Sequence, residues 1–529
     1  MQAFAELLDR LIYTRSRNAK VQLVADYLVS TPDPDRGWAL AALTGGLDFP
    51  AVKASTFRNL VTSRVDPTLY ALSRDYVGDG AETASLLWPA QETGAPPPSL
   101  SEAVAAMQAM TRAAAPEALA RLLDRLDANG RFALIKLATG ALRIGLSARL
   151  TRAALAQALG HDLDDIEEVW HAVSPPYPEL FAWLEGHTPR PDPGAVPSFR
   201  PFMLAHPLGD LELDLGTYAA EWKWDGIRVQ LVHTGGETRL FSRGGEDISS
   251  AFPEVVDAFA RPGVLDGELL IRGAHQGGET GGAASFNALQ QRMGRKVVSA
   301  RMRQEYPPFV RLYDVLIDGE EDLRGLAWTV RRERLEQIVP ALPTDWFDIS
   351  AVIDAGDFAE LAQLRASARD AAIEGVMLKR RESPYSSGRR VGEWYKWKRD
   401  PLTADCVLMY AQRGSGKRSS FYSDYTFGCW TAPPGEGGEL LPVGKAYSGF
   451  SDDELKWLDR FVRTNTVARF GPVREVTKSL VFEVAFDSIS ESRRHKSGLA
   501  MRFPRISRLR KDKPADEADL IETLRAMVT

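Results

Sequence analysis

The sequence predicts a multi-domain protein in which an all-α region comes first, a mixed α+β region follows, and a small β-barrel ends the chain. Three observations predict this order. Ala- and Leu-rich stretches with helical spacing fill residues 1–186, strand and helix patterns alternate from about 210 to 400, and strand patterns dominate from about 403. A chain of 529 residues also exceeds one ordinary domain, so about two to four domains are expected.

The N-terminal region has the apolar spacing of amphipathic helices. KVQLVADYLVS places Val21, Val24, Tyr27 and Leu28 on one helical face. A later Ala- and Leu-rich pattern is interrupted by Gly140 and Gly145. The stretch HTPRPDPGAVPSFRPFMLAHPLG that follows holds six prolines, which block regular pairing and predict an extended linker. The predicted divisions of the chain are therefore a helical domain at 1–190, a linker at 191–209, a mixed domain at 210–402 and a barrel domain at 403–529.

The mixed region and the barrel are predicted from strand alternation. EWKWDGIRVQLVH, GVLDGELLIRG, FVRLYDVLID, IEGVMLKRR and EWYKWKRD have strand patterns, and WTVRRERLEQIVPAL has a helical one. In the last region, SDDELKWLDRFVRTN starts with Ser451 and has Glu454 three residues later, which is a capping box. We expect a barrel that carries one helix.

Composition excludes several classes of protein. The net charge of -6 and pI of about 5.8 argue mildly against a nucleic-acid binder, but phosphate contacts need only a local basic surface. Cys406 and Cys429 are too few for a disulfide framework or a four-cysteine zinc site, and the seven histidines lack metal-ligand spacing. The N-terminus lacks the apolar core of a signal peptide, and no apolar run is long enough to span a membrane. We expect a cytoplasmic protein.

The segment EWKWDGIRV contains a lysine in an unusual setting. Alternation along a strand places three charged side chains on one face, namely Glu221, Lys223 and Asp225. Trp222 and Trp224 lie on the other face, and Gly226 suits a tight turn or a close approach of backbone. A free lysine has a pKa near 10.4, so only about one in a few thousand is the neutral nucleophile at pH 7, and burial or a nearby cation increases that fraction. The alternative is a strand with ordinary surface charges.

Six further segments decide between these interpretations. E-x-K-x-D-G-x-R resembles the first motif of the covalent nucleotidyltransferases, the superfamily of ATP-dependent DNA ligases and mRNA capping enzymes. The later motifs follow in the family's order, with LFSRGGEDIS (Arg243), LDGELL (Glu268), LYDVLIDG (Tyr313), EGVMLK (Glu374, Lys379), WYKWK (Lys396, Lys398) and RFPRISRLRKDK. FRPFMLAHP, LRIGLS, GSGKRSSFYSDYTFG and EVAFDSI resemble segments of the larger ATP-dependent DNA ligases.

The resemblance implies which residues bind the nucleotide. Lys223 would attack the α-phosphate of ATP, release pyrophosphate and hold AMP as a phosphoramidate. Glu221 would lie near the adenine, and Tyr313 would stack on it. Three residues would hold the ribose and later the nick phosphate, namely Arg228, Arg243 and Glu268. A carboxylate is a suitable acceptor for a sugar hydroxyl.

The resemblance also implies the groups that handle phosphate charge. Lys396 and Lys398 would neutralise charge that develops in the transition state. Magnesium, which prefers oxygen ligands, would be bound by acidic residues, namely Glu374, Asp225 and Glu268. A basic set near the C-terminus would act near the pyrophosphate in the first step, namely Arg505, Arg510 and Lys513.

Several alternatives stay open at this stage. Tyr313 could be a core aromatic, Arg331 and Arg332 could be solvated residues at a helix start, and the basic C-terminal run could be an unstructured tail. AQRGSGKRS lacks the first glycine and the Ser/Thr of a phosphate loop, so a basic barrel loop touching DNA backbone is expected there. GGETGG (277–282) is expected to be a flexible loop.

The resemblance therefore predicts a helical DNA-binding domain, an α+β adenylation (nucleotidyltransferase) domain and an oligonucleotide-binding (OB-fold) barrel. The expected enzyme is a monomeric ATP-dependent DNA ligase that uses ATP and Mg²⁺ to seal nicked double-stranded DNA through contacts with phosphates and sugars. An RNA ligase or a capping guanylyltransferase shares the lysine chemistry, and a non-catalytic DNA-binding scaffold would form no AMP adduct. Two cysteines cannot form the four-cysteine finger of an NAD-dependent ligase.

Overall fold

The computed structural model describes the chain except for residues 15, 90–93, 141, 274–281, 285, 294, 296, 369–371, 415–421, 448, 493–494 and 529 and the side chains at 287 and 452. The described chain forms two compact units. One contains Met1–Ser147 and Asp400–Thr529, and the other contains Ala148–Arg399.

The first part of the chain is helical, as the sequence predicts. Its helices are α1 Gln2–Tyr13, α2 Arg17–Ser30, α3 Asp35–Thr44, α4 Ala54–Thr62, α5 Pro67–Val77, α6 Gly80–Leu87, α7 Leu100–Ala109, α8 Ala115–Asp124 and α9 Ala128–Ala138. Side chains that accept hydrogen bonds from the first turn cap several of them, including Ser16 on α2 and Asp127 on α9. Val24 and Leu28 of α2 are buried, which confirms the predicted apolar face.

The second unit begins with helices and continues as a mixed α+β structure. Its helices are α10 Ala148–Leu159, α11 Leu163–Val169, α12 Pro178–Leu184, α13 Pro253–Ala258, α14 Phe286–Gln290, α15 Ala300–Glu305, α16 Trp328–Ile338 and α17 Phe358–Ser367. Its strands are β1 Met203–Leu204, β2 His206–Pro207, β3 Tyr218–Trp224, β4 Ile227–Thr234, β5 Glu237–Ser242, β6 Gly263–Ile271, β7 Pro308–Asp318, β8 Glu321–Asp322, β9 Phe347–Ile349, β10 Ile373–Arg380, β11 Gly388–Arg389 and β12 Trp394–Lys398.

Two sheets carry most of these strands. The first sheet has the order β2–β12–β10–β3, in which β10 is antiparallel to both β3 and β12. The second sheet has the order β5–β4–β6–β7–β8, with β9 parallel to β7. An apolar core that includes Val229, Leu265 and Leu335 joins the second sheet to α13 and α16.

The proline-rich stretch before β3 packs onto the second unit at its C-terminal end. Phe199 and Phe202 are buried in an apolar cluster with Trp328 and Trp394, β1 pairs with β11, and β2 pairs with β12. Two aromatic side chains buried in this way anchor the backbone that precedes β3. The domain boundaries named from the sequence remain predictions.

The C-terminal part of the first unit is rich in β-structure. Its elements are β13 Leu402–Arg413, β14 Tyr422–Trp430, β15 Leu440–Ala446, α18 Asp452–Thr464, β16 Thr466–Phe470, β17 Val473–Val476, β18 Val481–Phe486, β19 Ser488–Glu491, β20 Leu499–Arg502, β21 Arg505–Arg510 and α19 Ile521–Arg525. Helix α18 begins with the predicted capping box of Ser451 and Glu454. The predicted fold class, in which helical, mixed and β-rich regions follow one another, is confirmed.

A helix needs about 20 mainly apolar residues to cross a bilayer. Within the described residues, no helix combines the length and apolar character needed to cross a membrane.

Candidate active site

The chain passes from the first sheet to the second at Asp225 and Gly226. The sequence predicts one strand for EWKWDGIRVQLVH, but the structure has β3 in one sheet and β4 in the other. A Cβ at Gly226 would lie 2.4 Å from the carbonyl oxygen of Leu269, which confirms the predicted close approach of backbone. Lys223 and Arg228 therefore belong to different sheets although they are five residues apart.

Lys223 faces a gap in the neighbouring strand. Gly375 of β10 pairs with Lys223 on one side and with Lys398 of β12 on the other, so the two lysines share a face with no side chain between them. The register shifts between Ile373 and Gly375, which makes Glu374 the extra residue of a β-bulge. The bulge and the glycine together leave space for a carboxylate between two ammonium groups.

Glu374 occupies that space. Its carboxylate forms ion pairs with Lys223 through one oxygen and with Lys398 through the other. Burial opposes ionisation, but the charges and hydrogen bonds of Lys223 and Lys398 lower the pKa of Glu374 below its ordinary value. The carboxylate is therefore charged and holds the predicted nucleophile in place.

Lys396 lies within electrostatic reach of several other cations. Burial, followed by the charges of Lys398, Arg389, Lys223 and Arg243, lowers the pKa of Lys396. Like charges at this density repel one another unless an anion lies among them. The structure thus brings the predicted residues Lys223, Lys398 and Arg243 within electrostatic reach of Lys396, together with Arg389, which was not predicted.

The second sheet contributes Arg228 and acidic residues from its neighbouring strand. Arg228 pairs with Glu268 across β4 and β6, and Gln230 pairs with Asp266, so these side chains share a face. Burial raises the pKa of Glu268 to about 7, although the charges of Lys223 and Arg228 oppose the shift. Glu374 and Asp225 raise it further, which places all three predicted metal ligands within electrostatic reach of one another.

Tyr313 is re-aimed by a second bulge. Asp266 pairs with Asp314 and Gly267 pairs with Leu312, so Tyr313 is the extra residue on β7. Its ring centroid lies 4.7 Å from the Nζ atom of Lys379 and 5.8 Å from the guanidinium carbon of Arg228.

The environment of Tyr313 differs from that of a core aromatic. Its side chain is only partly buried, and two cations lie near its ring. Burial raises the pKa of Tyr313 well above its ordinary value, so the phenol stays neutral. The stacking role stays a prediction.

Glu221 is buried beside two cations. Its Oε2 atom accepts a hydrogen bond from Lys379 at 3.0 Å, and its Oε1 atom lies 3.6 Å from a guanidinium nitrogen of Arg332. Burial raises the pKa of Glu221, and the charges of Lys379 and Arg332 oppose that shift. Within the described residues, Oε1 is buried without a hydrogen-bond partner. An unmatched buried acceptor near an aromatic ring suits a ligand that presents an N–H group.

Arg331 and Arg332 at the start of α16 are not solvated, so that interpretation was wrong. Arg331 and Asp314 are both 0% exposed and are joined by two hydrogen bonds of 2.8 and 3.1 Å. Arg332 donates to the carbonyl oxygen of Ser350 at 2.7 Å while it faces Glu221. The start of α16 therefore stabilises the site through the buried contacts of Arg331 with Asp314 and of Arg332 with Glu221.

The basic C-terminal set lies in the other compact unit, on or near β21. Arg505 pairs with Asp487, while Arg510 and Lys513 both pair with Asp405. An unstructured tail was thus wrong for Arg505–Arg510, which form a strand. The predicted role of these residues near the pyrophosphate stays a prediction. The predicted basic loop and the GGETGG loop fall largely on residues 415–421 and 274–281, which lie outside the described residues.

Comparison with known proteins identifies the family. Residues 202–398 match a family model described as ATP dependent DNA ligase domain, and residues 418–513 match one described as ATP dependent DNA ligase C terminal region. A protein of Korarchaeum cryptofilum named DNA ligase 1 is 32% identical over 99% of this chain and 97% of its own length. The chain belongs to the ATP-dependent DNA ligase family.

Further relatives agree with this assignment. A probable DNA ligase of Koribacter versatilis is 32% identical over 99% of this chain and 95% of its own length. A solved chain named Pmar-Lig_Pre is 16% identical, covers 96% of this chain and 99% of itself, and has a TM-score of 0.58, which shows a similar fold. The protein is thus an ATP-dependent DNA ligase that acts on DNA, and neither a capping enzyme, an RNA ligase nor a non-catalytic scaffold is favoured.

Sequence reasoning missed several residues of this ligase site. Asp266 precedes Glu268 by two residues on β6, so strand alternation alone places both on one face. Tyr385 and Arg389 lie after β10 in a stretch without a distinctive pattern. Only the folded chain places them beside Arg228 and Lys396.

Proposed function

We propose that this ligase seals nicks in duplex DNA in three steps. The amine of Lys223 attacks the α-phosphorus of ATP, a P–N bond forms, and the bond to pyrophosphate breaks. The AMP group then moves to the 5′-phosphate at the nick. The adjacent 3′-OH finally attacks that phosphate and AMP leaves, which creates the phosphodiester bond.

The first step needs a lysine that is held in position and able to lose a proton. The ion pair with Glu374 fixes the Lys223 side chain at the face where Lys396, Lys398 and Arg389 concentrate positive charge. Such a group of cations binds the phosphates and neutralises the charge that develops as pyrophosphate leaves. These residues supply positioning and electrostatic stabilisation, which dominate the catalysis of phosphoryl transfer.

Base selection is supported by the unmatched oxygen of Glu221. The adenine amino group would donate to this acceptor, whereas a guanine presents a carbonyl oxygen at the same ring position and would be repelled. Tyr313 would stack against the base, and its ring position at the β7 bulge is compatible with that role.

Magnesium fits the donor set through few protein ligands. No group of three or more acidic, histidine or cysteine side chains in the described part of the chain could hold a metal by itself. Mg²⁺ commonly binds one or two carboxylates together with substrate phosphates and water. Glu374, Glu268 and Asp225 are the carboxylates near Lys223, and one or two of them would hold the ion together with substrate phosphates. When bound, the ion would neutralise negative charge on the phosphates.

The DNA substrate would be recognised by its backbone rather than its bases. Nick sealing requires no base readout, and contacts to phosphates and sugars position a protein on duplex DNA. The helical domain and the barrel, with the boundaries predicted above, would provide those contacts for a monomeric enzyme. Binding should weaken steeply with salt despite the net charge of -6.

The ion pair of Lys223 with Glu374, at the face where Lys396 and Lys398 also lie, carries this proposal, and removal of Lys223 tests it. We expect Lys223→Ala to lose protein-bound label after incubation with α-³²P-labelled ATP and Mg²⁺, because no amine remains to form the phosphoramidate. The variant should still join a nick whose 5′-phosphate already carries AMP, since that step needs no new lysyl adduct.

A matched lysine controls for general effects of the substitution. Lys456 on α18 is 74% exposed, so Lys456→Ala should label like the wild type. Retained label on Lys223→Ala would place the nucleophile elsewhere and refute the proposal. Labelled GTP in a parallel reaction should give no adduct if Glu221 selects the base.

A further inference from the structure

Tyr385 lies at the junction of the strands that form the active site. It is 6% exposed and follows β10 in the segment that leads to β11. Its hydroxyl donates to Asp266 of β6 and accepts a hydrogen bond of 3.1 Å from Arg228 of β4. Its ring meets Trp394 edge-on at a centroid distance of 6.0 Å, and Trp394 begins the strand of Lys396 and Lys398.

The guanidinium of Arg228 is fixed along one edge. One terminal nitrogen donates to the carbonyl oxygen of Met203 at 2.6 Å, and the other donates to Asp266 at 2.9 Å and to Tyr385. The guanidinium also lies over the ring of Phe202, with its central carbon 4.1 Å from the ring centroid. The Nε atom is buried and has no hydrogen-bond partner within the described residues.

An unmatched N–H of this kind is costly unless a ligand pairs with it. Arginine is planar and cannot rotate one nitrogen without moving the others, so contacts to the terminal nitrogens determine where Nε points. The contacts that hold the two terminal nitrogens therefore decide whether Nε–H can donate a hydrogen bond to a ligand oxygen.

Asp266 is the second part of this anchor, and Tyr385 completes it. The Oδ1 atom of Asp266 accepts a hydrogen bond from Gln230 at 2.9 Å, while its Oδ2 atom accepts from both Arg228 and Tyr385. Burial raises the pKa of Tyr385 well above its ordinary value, so the hydroxyl keeps its proton and acts as a donor at neutral pH. Without that hydroxyl, Arg228 would keep its contacts to Asp266 and Met203 but lose a third fixed point.

We propose that Tyr385 is a positioning residue that acts through Arg228. Together with Asp266 it holds the guanidinium so that Nε–H is presented to an oxygen of the bound adenylate or of the DNA 5′-phosphate. This inference rests on the proposed nick-sealing function and on the role that the family resemblance implies for Arg228, which is to hold the ribose and later the nick phosphate. Tyr385 itself does not touch the reacting atoms.

Tyr385→Phe tests the inference because it removes one hydroxyl and keeps the ring against Trp394. We expect about a ten-fold lower single-turnover rate at saturating ATP and DNA, the loss that corresponds to one hydrogen bond to a charged group. The rate of lysyl-AMP formation without DNA tests whether Nε–H of Arg228 donates to an oxygen of the adenylate. The rate of AMP transfer from preformed lysyl-AMP to nicked DNA tests whether it donates to an oxygen of the 5′-phosphate. A loss in either reaction supports the inference and identifies the acceptor.

A double-variant cycle separates positioning from a merely structural role. Arg228→Lys keeps a positive charge beside the buried Asp266 but lacks Nε–H, and thermal unfolding checks that it folds. In that background, Tyr385→Phe should lower the rate less than two-fold. The matched control Tyr425→Phe removes the hydroxyl of a buried barrel tyrosine, which donates to the carbonyl oxygen of Tyr422 at 3.2 Å, and should leave both reactions unchanged.

Three outcomes would overturn the inference. A rate for Tyr385→Phe equal to that of Tyr425→Phe would do so, with the proposed role of Arg228 still standing if Arg228→Lys is slow. A ten-fold loss that persists in the Arg228→Lys background would show that Tyr385 acts independently of Arg228. Full activity of Arg228→Lys would instead refute the proposed role of Arg228, and the inference with it.

Discussion

The catalytic unit and the C-terminal barrel, which contains strands β13 to β21, differ in whether they bury charged side chains. Among the described residues, the unit Ala148–Arg399 buries a set of charged side chains, namely Arg152, Glu167, Glu221, Asp266, Arg292, Arg311, Asp314, Arg331, Arg332 and Lys379. In the described part of the barrel, Ser497 is the one buried residue in the polar and charged class, and no charged side chain is buried. The barrel core consists of aliphatic, aromatic and cysteine side chains, including Phe482.

This difference reflects what each region has to hold. Burying a charge costs free energy that a partner only partly returns, so a purely structural core has no need of one. The catalytic unit must direct a lysine, an arginine and several carboxylates into one cleft. Each of those groups is supported by further charges behind it, such as Lys379 behind Glu221 and Asp266 behind Arg228.

The largest expected effect concerns the buried pair of Arg331 and Asp314. Asp314→Asn leaves a fully buried guanidinium without its counter-ion, so we expect a loss of about 3–5 kcal/mol in the free energy of unfolding. The matched barrel change is Glu483→Gln, which breaks a pair whose arginine, Arg508, is 59% exposed. That loss should stay below about 1 kcal/mol.

Calorimetry with hydrogen exchange in β7 and β18 would measure both changes. Equal losses would contradict the comparison, because burial would then make no difference to the worth of an ion pair. A loss for Asp314→Asn confined to the barrel amides would contradict it as well.

A smaller effect concerns His171, which the catalytic unit keeps neutral. Its ring centroid lies 4.6 Å from that of Phe241. Burial, then the charge of Arg152, lowers its pKa to about 4; Arg239 and Arg200 act in the same direction, and Asp247 opposes them. The unfolded chain takes up a proton near pH 6.5, and the folded chain does so only near pH 4. The contribution of His171 to stability is therefore fully present above about pH 6.5 and is lost as the pH falls toward 4, by about 2 kcal/mol at pH 5.

Unfolding at pH 7.5 and pH 5 would measure this dependence. His171→Gln should lose less stability on acidification than the wild type, because glutamine binds no proton. The control is His187→Gln, because the His187 side chain is 72% exposed. This variant should lose as much stability between pH 7.5 and pH 5 as the wild type. An unchanged pH dependence in His171→Gln would show that this ring is protonated equally in both states.

The sequence predicted the elements better than their three-dimensional relations. Strand alternation correctly grouped Glu221 with Lys223, since both lie on one face of β3. It did not predict that β3 and β4 enter different sheets, because a bend at Gly226 depends on backbone contact with Leu269, which is far along the chain. The bulge at Glu374 was equally inaccessible, since its register depends on two partner strands.

Charged residues were misjudged where burial decides their role. Arg331 and Arg332 match a solvated helix start by composition, and only the position of Asp314 and Glu221 beneath the helix reveals that they are buried. The motifs themselves were informative because their spacing fixes faces and strand ends. Tyr385 had no such signal, as its partners come from three separate strands or segments.

The smallest expected effect concerns the barrel thiols. Cys406 and Cys429 are both 0% exposed, their sulfur atoms are 3.5 Å apart, and burial raises the pKa of Cys406 well above its ordinary value. We expect neither thiol to react with a thiol-specific disulfide reagent in the native enzyme, and both to react after denaturation. Rapid modification of the folded protein would mean that the apolar barrel interior opens to solvent.

Because the chain bends at Asp225 and Gly226, the number of residues between Lys223 and Arg228 decides which face of β4 carries Arg228. Adding one residue after Gly226 would rotate every position of β4 to the opposite face. Val229, now in the apolar core, would then point into the cleft, and Arg228 would be driven among aliphatic side chains. A single inserted codon at this point would thus disable the enzyme without altering any of the residues that perform the chemistry.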